Sequence, residues 1–535
     1  NITSHKTVNI SASEGGITTK AGTTINATTG SVEVTAKTGD IKGGIESASG
    51  SVNITASGDT LKVSNITGQD VTVTADAGAL TTTAGSTINA TTGNANITTK
   101  TGDINGKVES SSGSVTLVAT GETLAVGNIS GNTVSVTANS GTLTTKADST
   151  IKGTGSVTTL SQSGDIGGTI SGKTVSVTAT TDSLTVKGGA KINATEGTAT
   201  LTASSGKLTT EANSAISGAN GVTASSQSGD ISGTISGNTV SVKATSDLIT
   251  QSGSKIEAKS GEANVTGATG TIGGTISGKT VSVTASTGDL TVRKAATISA
   301  TEGAATLTAT GNTLTTEAGS SITSTKGQVD LSAQDGSIAG QISAANVTLN
   351  TTGTLTTATG SSINAANGNL VINAKDARLD GTASGDRTEV NAVNASGSGS
   401  VTAATSSNVN ITGDLSTING LNIISKNGKN TVVLKGAEID VKYIQPGVAS
   451  ANEVIEAKRA LEKVKDLSDE ERETLAKLGV SAVRFIEPNN TITVNTQNEF
   501  TTRPSSQVTI SEGKACFSSG NGAAVCTNVA DDGQQ

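Results

Sequence analysis

Cysteine and histidine, which often serve as nucleophiles, bases and metal ligands, are scarce in this 535-residue chain. The chain has two cysteines, Cys516 and Cys526, and one histidine, His5. Two thiolates without a nearby histidine supply only half of a tetrahedral zinc site. His5 has no cysteine and no triad partner beside it, so a surface position explains it better than a general base. We therefore predict no catalytic residue, no metal site, no cofactor and no enzymatic activity.

The two cysteines lie ten residues apart near the C-terminus, on either side of a glycine-rich segment. An even count in an otherwise cysteine-free chain favours a disulfide and an oxidising compartment. Closing so short a loop stabilises a protein by about 2.7 kcal/mol in the chain-entropy description. Such a bond would shape the C-terminal tail rather than the rest of the chain.

The rest of the chain is built from internal repeats, which must be recognised before a fold is assigned. Similar tracts begin at Val8, Val71, Val134, Val175, Val240, Val281 and Val347. The intervals between these valines are 63, 63, 41, 65, 41 and 66. Val32 and Val52 divide the first interval into steps of 24, 20 and 19. The basic unit is therefore about 18–24 residues long, and the longer intervals contain two or three units.

Each unit contains short apolar-polar-apolar triplets about eight residues apart, such as Val175–Val177, Leu184–Val186, the one that begins at Ile192, and Ala199–Leu201. This period of two is typical of a strand with one buried face. Gly, Ser, Thr, Asn and Asp separate the triplets, and we assign tracts such as Thr101–Asp103 and Ser163–Asp165 to turns. Ser57–Asp59 is assigned in the same way. Three strands and three turns make one coil of a parallel β-solenoid.

The composition agrees with this all-β solenoid. Aromatic residues make up 1% of the chain, hydrophobic residues 33%, and there is no Met or Trp. A narrow lumen of stacked strands accepts Val, Ile, Leu and Ala, and it excludes large aromatic rings from every coil. At about 4.8 Å per coil, residues 1–440 would form about 20 coils and a rod roughly 95 Å long. The net charge of −8 and the scarcity of aromatics argue against nucleic-acid binding.

Four aspartates recur with the repeat and could suggest calcium binding, namely Asp40, Asp103, Asp165 and Asp230. The intervals between them are 63, 62 and 65, which correspond to three coils or roughly 14 Å along the axis. Calcium ligands must lie about 2.4 Å from one ion, so these carboxylates cannot share one. We therefore assign them to Asx-turns.

A change in composition marks a boundary after residue 440. All four aromatics and all three prolines follow residue 442, the first being Tyr443. Capping boxes at Ser450 and Ser468 predict two helices within 450–479, and strands are expected at 480–486, 491–494 and 507–510. We divide the chain into a β-helix rod (1–440), a cap (441–510) and a disulfide-closed anchor tail (511–535). The helices could cover the end of the solenoid or form a partner-binding hairpin.

Taken together, the Val-x-Val repeats, the helical hairpin and the terminal cysteine pair resemble one family of secreted proteins. The chain resembles two-partner secretion exoproteins of the filamentous haemagglutinin class, and most of all the C-terminal part of Haemophilus-type high-molecular-weight adhesins. The repeats carry the resemblance over nearly the whole chain. The cysteine pair is the more specific feature, but it covers only the tail.

This resemblance implies a right-handed β-helix that is exported through an outer-membrane pore protein and binds host-cell surface glycans or glycoproteins. It implies that the tail closed by Cys516 and Cys526 lodges in the pore, which tethers the protein to the bacterial surface. The amino-terminal secretion domain of the family is absent from this sequence. The resemblance therefore implies the C-terminal part of a longer adhesin.

The family also includes glycoproteins with hexoses on Asn-x-Ser/Thr, added by a cytoplasmic glycosyltransferase. Such sequons occur in this chain at Asn9, Asn26, Asn53, Asn65, Asn89, Asn96, Asn193, Asn264, Asn346 and Asn410, among others. There are 15 sequons among 39 asparagines, close to the number expected by chance in a chain rich in Ser and Thr. Only the resemblance supports their modification. A glycan-degrading β-helix enzyme and a structural filament component remain the alternatives to an adhesin.

Overall fold

The computed structural model describes residues 1–411 and, beyond them, eight strands between residues 421 and 528. The chain divides into two compact units, Asn1–Gly267 and Ala268–Gln535. Both consist of strands, and the described residues contain no helix and hence no helical membrane span. The fold is a right-handed parallel β-solenoid with about 19 turns in total, close to the predicted number. The two helices predicted within 450–479 lie outside the described residues.

The strands of the first unit are β1 (Ile2–Ser4), β2 (Val8–Thr19), β3 (Thr24–Ala27), β4 (Val32–Ile41), β5 (Gly44–Ser47), β6 (Val52–Ala56), β7 (Thr60–Val63), β8 (Ile66–Gly68), β9 (Val71–Thr82), β10 (Thr87–Ala90), β11 (Ala95–Ile104), β12 (Lys107–Ser110), β13 (Val115–Ala119), β14 (Thr123–Val126), β15 (Ile129–Gly131), β16 (Val134–Thr145), β17 (Thr150–Gly153), β18 (Val157–Ile166), β19 (Thr169–Gly172), β20 (Val175–Ala179), β21 (Leu184–Val186), β22 (Lys191–Ala194), β23 (Thr198–Thr210), β24 (Ala215–Ile231), β25 (Thr234–Ala244), β26 (Asp247–Thr250), β27 (Lys255–Ala258) and β28 (Glu262–Gly267).

The strands of the second unit are β29 (Thr269–Ile272), β30 (Thr275–Gly278), β31 (Thr280–Ala285), β32 (Leu290–Val292), β33 (Thr297–Ala300), β34 (Ala305–Thr316), β35 (Ser321–Ser324), β36 (Gln328–Ile338), β37 (Gln341–Ala344), β38 (Asn346–Thr351), β39 (Thr354–Thr357), β40 (Ser362–Leu379), β41 (Thr382–Ser396), β42 (Ser400–Ile411), β43 (Leu421–Ser425), β44 (Lys429–Leu434), β45 (Ala437–Val441), β46 (Arg484–Ile486), β47 (Thr491–Val494), β48 (Ser506–Ser511), β49 (Lys514–Ser518) and β50 (Ala524–Asn528).

Each coil has three faces, which we call A, B and C in chain order. In the coil that begins at Val71, face A is residues 71–75, face B is 79–82 and face C is 87–90. Val71 pairs in parallel with Val52 in the coil before it and with Ala95 in the coil after it. The valines that mark the repeats therefore stack in register on face A, as the sequence predicted. In the second unit, Val329 and Val347 stack in the same way.

The lumen is filled by the inward side chains of the three faces. Face A contributes mainly Val and Ala, face B contributes Leu, Ile, Val, Thr or Gly, and face C contributes a nearly unbroken column of isoleucines. Ile25, Ile45, Ile66 and Ile88 follow one another in that column and are at most 4% exposed. Because identical side chains stack at the strand spacing, no large ring is needed to close the core.

Glycines and leucines interlock on face B. Gly164 in β18 points inward and pairs in register with Leu184 of the next coil. A Cβ added to Gly164 would lie 2.7 Å from the Leu184 Cδ1 atom. The pairs Gly102–Leu124 and Gly229–Leu248 have the same geometry, at 2.8 and 2.7 Å. The leucine of one coil therefore occupies the space that a side chain on the previous coil would fill.

This interlock corrects two sequence assignments. Thr101–Asp103 and Ser163–Asp165 were assigned to turns, but they lie within strands β11 and β18. Their glycines serve packing with the next coil rather than chain reversal. Ser57–Asp59 does lie in the turn between β6 and β7, as predicted. The local sequence is alike in the three tracts, so only the neighbouring coil distinguishes the two roles.

Antiparallel strands follow the last parallel ones in the second unit. Strand β42 pairs in parallel with β43 and with β44, which continue faces C and A. Strand β48 then pairs antiparallel with β43, and β45 pairs antiparallel with β44. These strands occupy edges that would otherwise expose unpaired backbone groups. The end of the solenoid is thus covered at least in part by strands.

Candidate functional site

The outer surface of face A in the first unit carries no charge over nine consecutive coils. Its outward positions form two columns, one with Asn53 at its head and one with Thr55, and we call them the uncharged face. The members are Asn53, Thr55, Thr72, Thr74, Asn96, Thr98, Thr116, Val118, Ser135, Thr137, Thr158, Leu160, Ser176, Thr178, Thr200, Thr202, Thr223 and Ser225. Hydroxyl groups repeat there at the coil spacing of about 4.8 Å.

On face A of the second unit, amides replace the hydroxyls in one column from β38 onward. Asn350, Asn373, Asn391 and Asn410 are stacked in register on β38, β40, β41 and β42, and we call them the amide ladder. The Nδ2 group of each donates to the Oδ1 atom of the one before it, at 2.6, 2.9 and 2.7 Å. These bonds fix the orientation of the side chains. Each amide keeps one N–H for another partner.

A shallow groove of about 220 Å³ lies on the same face, and we call it the Arg387 groove. Asn369, Arg387 and Ser406 line one side, and Val371, Glu389 and Asn408 line the other. Arg387 is exposed and Glu389 is half-buried. Guanidinium, carboxylate and amide groups here offer donors and acceptors, and Val371 adds a small apolar surface. The charges of Arg387 and Glu389 cancel, so the groove suits a neutral polar ligand.

The sequons that the sequence singled out all lie on strands or their edges with the asparagine facing outward. Four of these asparagines are exposed, namely Asn9, Asn65, Asn96 and Asn346. The other six are half-buried, namely Asn26, Asn53, Asn89, Asn193, Asn264 and Asn410. They are spread over both units and do not converge on one site.

Several of these amides are already hydrogen-bonded. Asn53 Nδ2 donates to Glu33 Oε1 at 2.7 Å, and Asn193 Oδ1 accepts from Ser217 Oγ at 2.9 Å. Asn346 Oδ1 accepts from the backbone of Asn369 at 2.9 Å. Of the ten, Asn9 and Asn96 are exposed on the outside of face A. An enzyme acting on the folded protein would reach these two most easily, and modification of any sequon remains a prediction.

The recurring aspartates lie in strands β4, β11, β18 and β24, on the outside of face B, so the Asx-turn assignment is wrong. Lysines explain their position better. Lys187 Nζ is 3.4 Å from Asp165, Lys207 Nζ is 3.8 Å from Asp230, and Lys146 Nζ is 3.1 Å from Asp103. Within the described residues, no three His, Cys, Asp or Glu side chains are grouped so as to hold a metal ion.

His5 and the cysteines lie in separate parts of the structure. His5 is exposed, and its Nδ1 atom is 3.1 Å from Thr28 Oγ1. Strands β49 and β50 are antiparallel, and their register places Cys516 directly opposite Cys526. Directly opposed residues have Cα atoms about 4.5–5.5 Å apart, which a disulfide can span. The backbone therefore suits the predicted bond, which itself stays a prediction.

Two carboxyl groups of the second unit have shifted pKa values, one raised and one lowered. Burial raises the pKa of Asp330, and a hydrogen bond from Gln328 Nε2 at 2.7 Å partly offsets that effect. The pKa of Asp380 is lowered, chiefly by the backbone N–H of Ser398 at 2.9 Å and further by Arg378. Asp380 thereby anchors the backbone of the next coil.

The amide ladder and the Arg387 groove were not found from the sequence. A signal was present, because the four asparagines follow one another at intervals of 23, 18 and 19, each of which is one coil length. Comparison with known proteins gave no further assignment: no family model, no curated protein and no solved structure matches this chain.

Proposed function

We propose that this chain is part of a bacterial surface adhesin, exported through an outer-membrane two-partner secretion pore and mediating attachment to host cells. The observation that carries the proposal is the fold: a parallel β-solenoid whose bulky side chains face the lumen and whose outer faces are polar. Such a fold presents a large polar surface on a stiff scaffold, which suits a molecule that displays binding groups away from the cell.

The receptor class that fits the surface best is a glycan. The Arg387 groove and the amide ladder offer fixed donors and acceptors, which the hydroxyls of a neutral oligosaccharide can match. The described residues 1–411 include no aromatic side chain on which a sugar ring could stack. Single contacts would therefore be weak, and attachment would depend on many simultaneous contacts.

Binding to host epithelial cells tests the proposal. The purified chain should bind, and treatment of the cells with periodate, which cleaves sugar diols, should abolish binding. Substitution of Arg387→Ala together with Glu389→Ala should weaken binding at least tenfold. The matched control is Thr200→Ala together with Thr202→Ala on the uncharged face, which should bind as the parent does. A parent chain that does not bind cells, or that depolymerises a polysaccharide, would overturn the proposed function.

Surface anchoring is tested separately in bacteria that express the full-length protein with its pore. We propose that a disulfide between Cys516 and Cys526 holds the C-terminus in that pore. Cys516→Ser should then release the protein into the medium while its β-sheet circular dichroism stays unchanged. Retention of this variant on the cell surface would contradict the anchoring role.

A further inference from the structure

Lys146 reaches back across one intervening coil to contact an amide and a carboxylate on the coil beyond it. Lys146 follows β16, and its backbone N–H donates to Val126 in β14 at 3.1 Å. Its Nζ atom contacts Asn105 Oδ1 and lies 3.1 Å from Asp103 Oδ1, and both of these residues belong to the coil of β11. Gly127 lies at the intervening level and has no side chain to block the path.

We propose that Lys146 and Asn105 become joined by an isopeptide bond in the folded protein. The neutral Nζ atom of Lys146 attacks the Cγ atom of Asn105, and a bond forms between them. The bond between Cγ and Nδ2 breaks, and Nδ2 leaves as ammonia. The Asp103 carboxylate takes the proton from Nζ and passes it to the leaving nitrogen. The step exchanges one amide for another and needs no oxidant, reductant or further reactant.

Proximity accelerates this reaction. Groups held together in a folded structure can react as if at effective concentrations of about 10⁵–10⁸ M. Asp103 lies in a paired strand, and Asn105 and Lys146 each directly follow one, with the Lys146 N–H bonded to Val126. Ammonia escapes because the side chains of Lys146 and Asp103 are 36% and 56% exposed. That loss makes the product persist.

The pH also sets the rate at which the bond forms. Lysine amines are mostly protonated at neutral pH, and the neutral share rises about tenfold with each pH unit below about 10. The bond should therefore form slowly at neutral pH and much faster at pH 9. Because Asp103 relays the proton, its removal should slow the reaction without preventing it.

Two other lysine-aspartate pairs in the first unit provide internal controls. Lys187 lies 3.4 Å from Asp165, and Lys207 lies 3.8 Å from Asp230. The residue two positions after the aspartate is Asn105 in the proposed site, but it is Gly167 and Ser232 in the other two. Gly167 and Ser232 have no side-chain amide that a lysine could attack, so Lys187 and Lys207 should remain free amines.

The bond would join the level of Asn105 to the level of Lys146 and span the intervening level of Gly127. Apart from the continuous backbone, neighbouring coils are held together by hydrogen bonds and packing. A covalent link between the outer two levels would keep the middle coil from separating when the protein is pulled or heated. This consequence is independent of the adhesin function.

Mass spectrometry of the purified full chain tests the proposal. After incubation at pH 9, the intact mass should fall by one ammonia, and trypsin should yield a branched peptide that joins Asn105 to Lys146. The Lys146→Arg variant keeps the charge but should give no branched peptide. Asp103→Ala should form the link at least tenfold more slowly. Circular dichroism of each variant establishes that it is folded.

One side reaction gives the same mass loss and must be separated from the link. Asn105 precedes Gly106, and cyclisation of an Asn-Gly pair to a succinimide also releases ammonia. A mass loss without a branched peptide in the parent, and of equal size in Lys146→Arg, would identify succinimide formation and overturn the proposal. Absence of the branched peptide from the folded parent after incubation at pH 9 would overturn it as well.

Discussion

The interlock between Gly164 and Leu184 can be tested with a double-mutant cycle. An alanine at position 164 would place its Cβ 2.7 Å from the Leu184 Cδ1 atom, well inside the roughly 3.5–4.0 Å that two carbon atoms prefer. Overpacking of this kind costs about 1–3 kcal/mol. We therefore expect Gly164→Ala to lower the free energy of unfolding by about 2 kcal/mol. Gly15→Ala is the matched control, because a Cβ there would have no atom within 4 Å.

The second arm of the cycle removes the leucine. Leu184 is fully buried, so Leu184→Ala should cost about 2–5 kcal/mol through lost burial and the cavity that remains. In the double variant the new alanine meets no leucine and fills part of that cavity. The double variant should therefore be about 1–2 kcal/mol more stable than the sum of the two single changes predicts.

Guanidinium unfolding followed by circular dichroism gives the free energy of unfolding of all four proteins. The values can be compared if that free energy falls with guanidinium concentration at the same slope in each protein. Additive effects within about 0.5 kcal/mol would show that the two residues do not interact, which would refute the interlock. A Gly164→Ala variant as stable as Gly15→Ala would refute it too.

Three further predictions concern polar groups. Thr159 has a buried hydroxyl without a partner among the described residues, so Thr159→Val should stabilise the protein. The Thr99 hydroxyl donates to the Thr101 carbonyl at 2.6 Å, so Thr99→Val should lower the free energy of unfolding by about 1 kcal/mol. Denaturant unfolding measures both variants, and equal effects would contradict the reasoning. The raised pKa of Asp330 disfavours its charged form, so Asp330→Asn should raise the melting temperature at pH 7 and have no effect near pH 3. The pKa of Asp380 is lower in the folded protein than in the unfolded chain, so its charged form stabilises the fold above the unfolded pKa. Asp380→Asn should therefore lower the melting temperature at pH 7, and this loss should fade as the pH falls. If the melting temperatures of the Asp330 and Asp380 variants changed with pH in the same way, both assignments would be refuted. Asn391→Ala breaks two bonds of the amide ladder and should increase hydrogen exchange locally in β41, while exchange in the first unit stays unchanged.

The repeat and its strands could be predicted from the sequence because they depend on local alternation. Valines that recur once per coil identified the repeat, and the parallel register of Val8 with Val32 and of Val52 with Val71 confirms that spacing. The strands at 484–486 and 491–494 agree with those expected within 480–486 and 491–494.

The features that were missed or misassigned depend on the neighbouring coil. Gly102 and Gly164 look like turn residues until the leucine that packs against each is known. Asp103 and Asp165 likewise look like turn formers until their lysines are located. The amide ladder requires the register of four coils, and variable coil lengths hide that register from a pattern with a fixed period.

The glycine-leucine interlock also limits how such a gene can change in length. Gly164 is flanked in register by Leu143 on one side and Leu184 on the other, and Gly229 is flanked by Leu208 and Leu248. Recombination that placed two glycine coils side by side would leave a void in the lumen. A duplication that adds a glycine coil and conserves the core must therefore carry a leucine coil with it. Leucine coils also neighbour each other, as Leu61 and Leu80 do, so the gain or loss of one of them creates no such void. We expect no inherited length variant of this protein to place two glycine coils side by side.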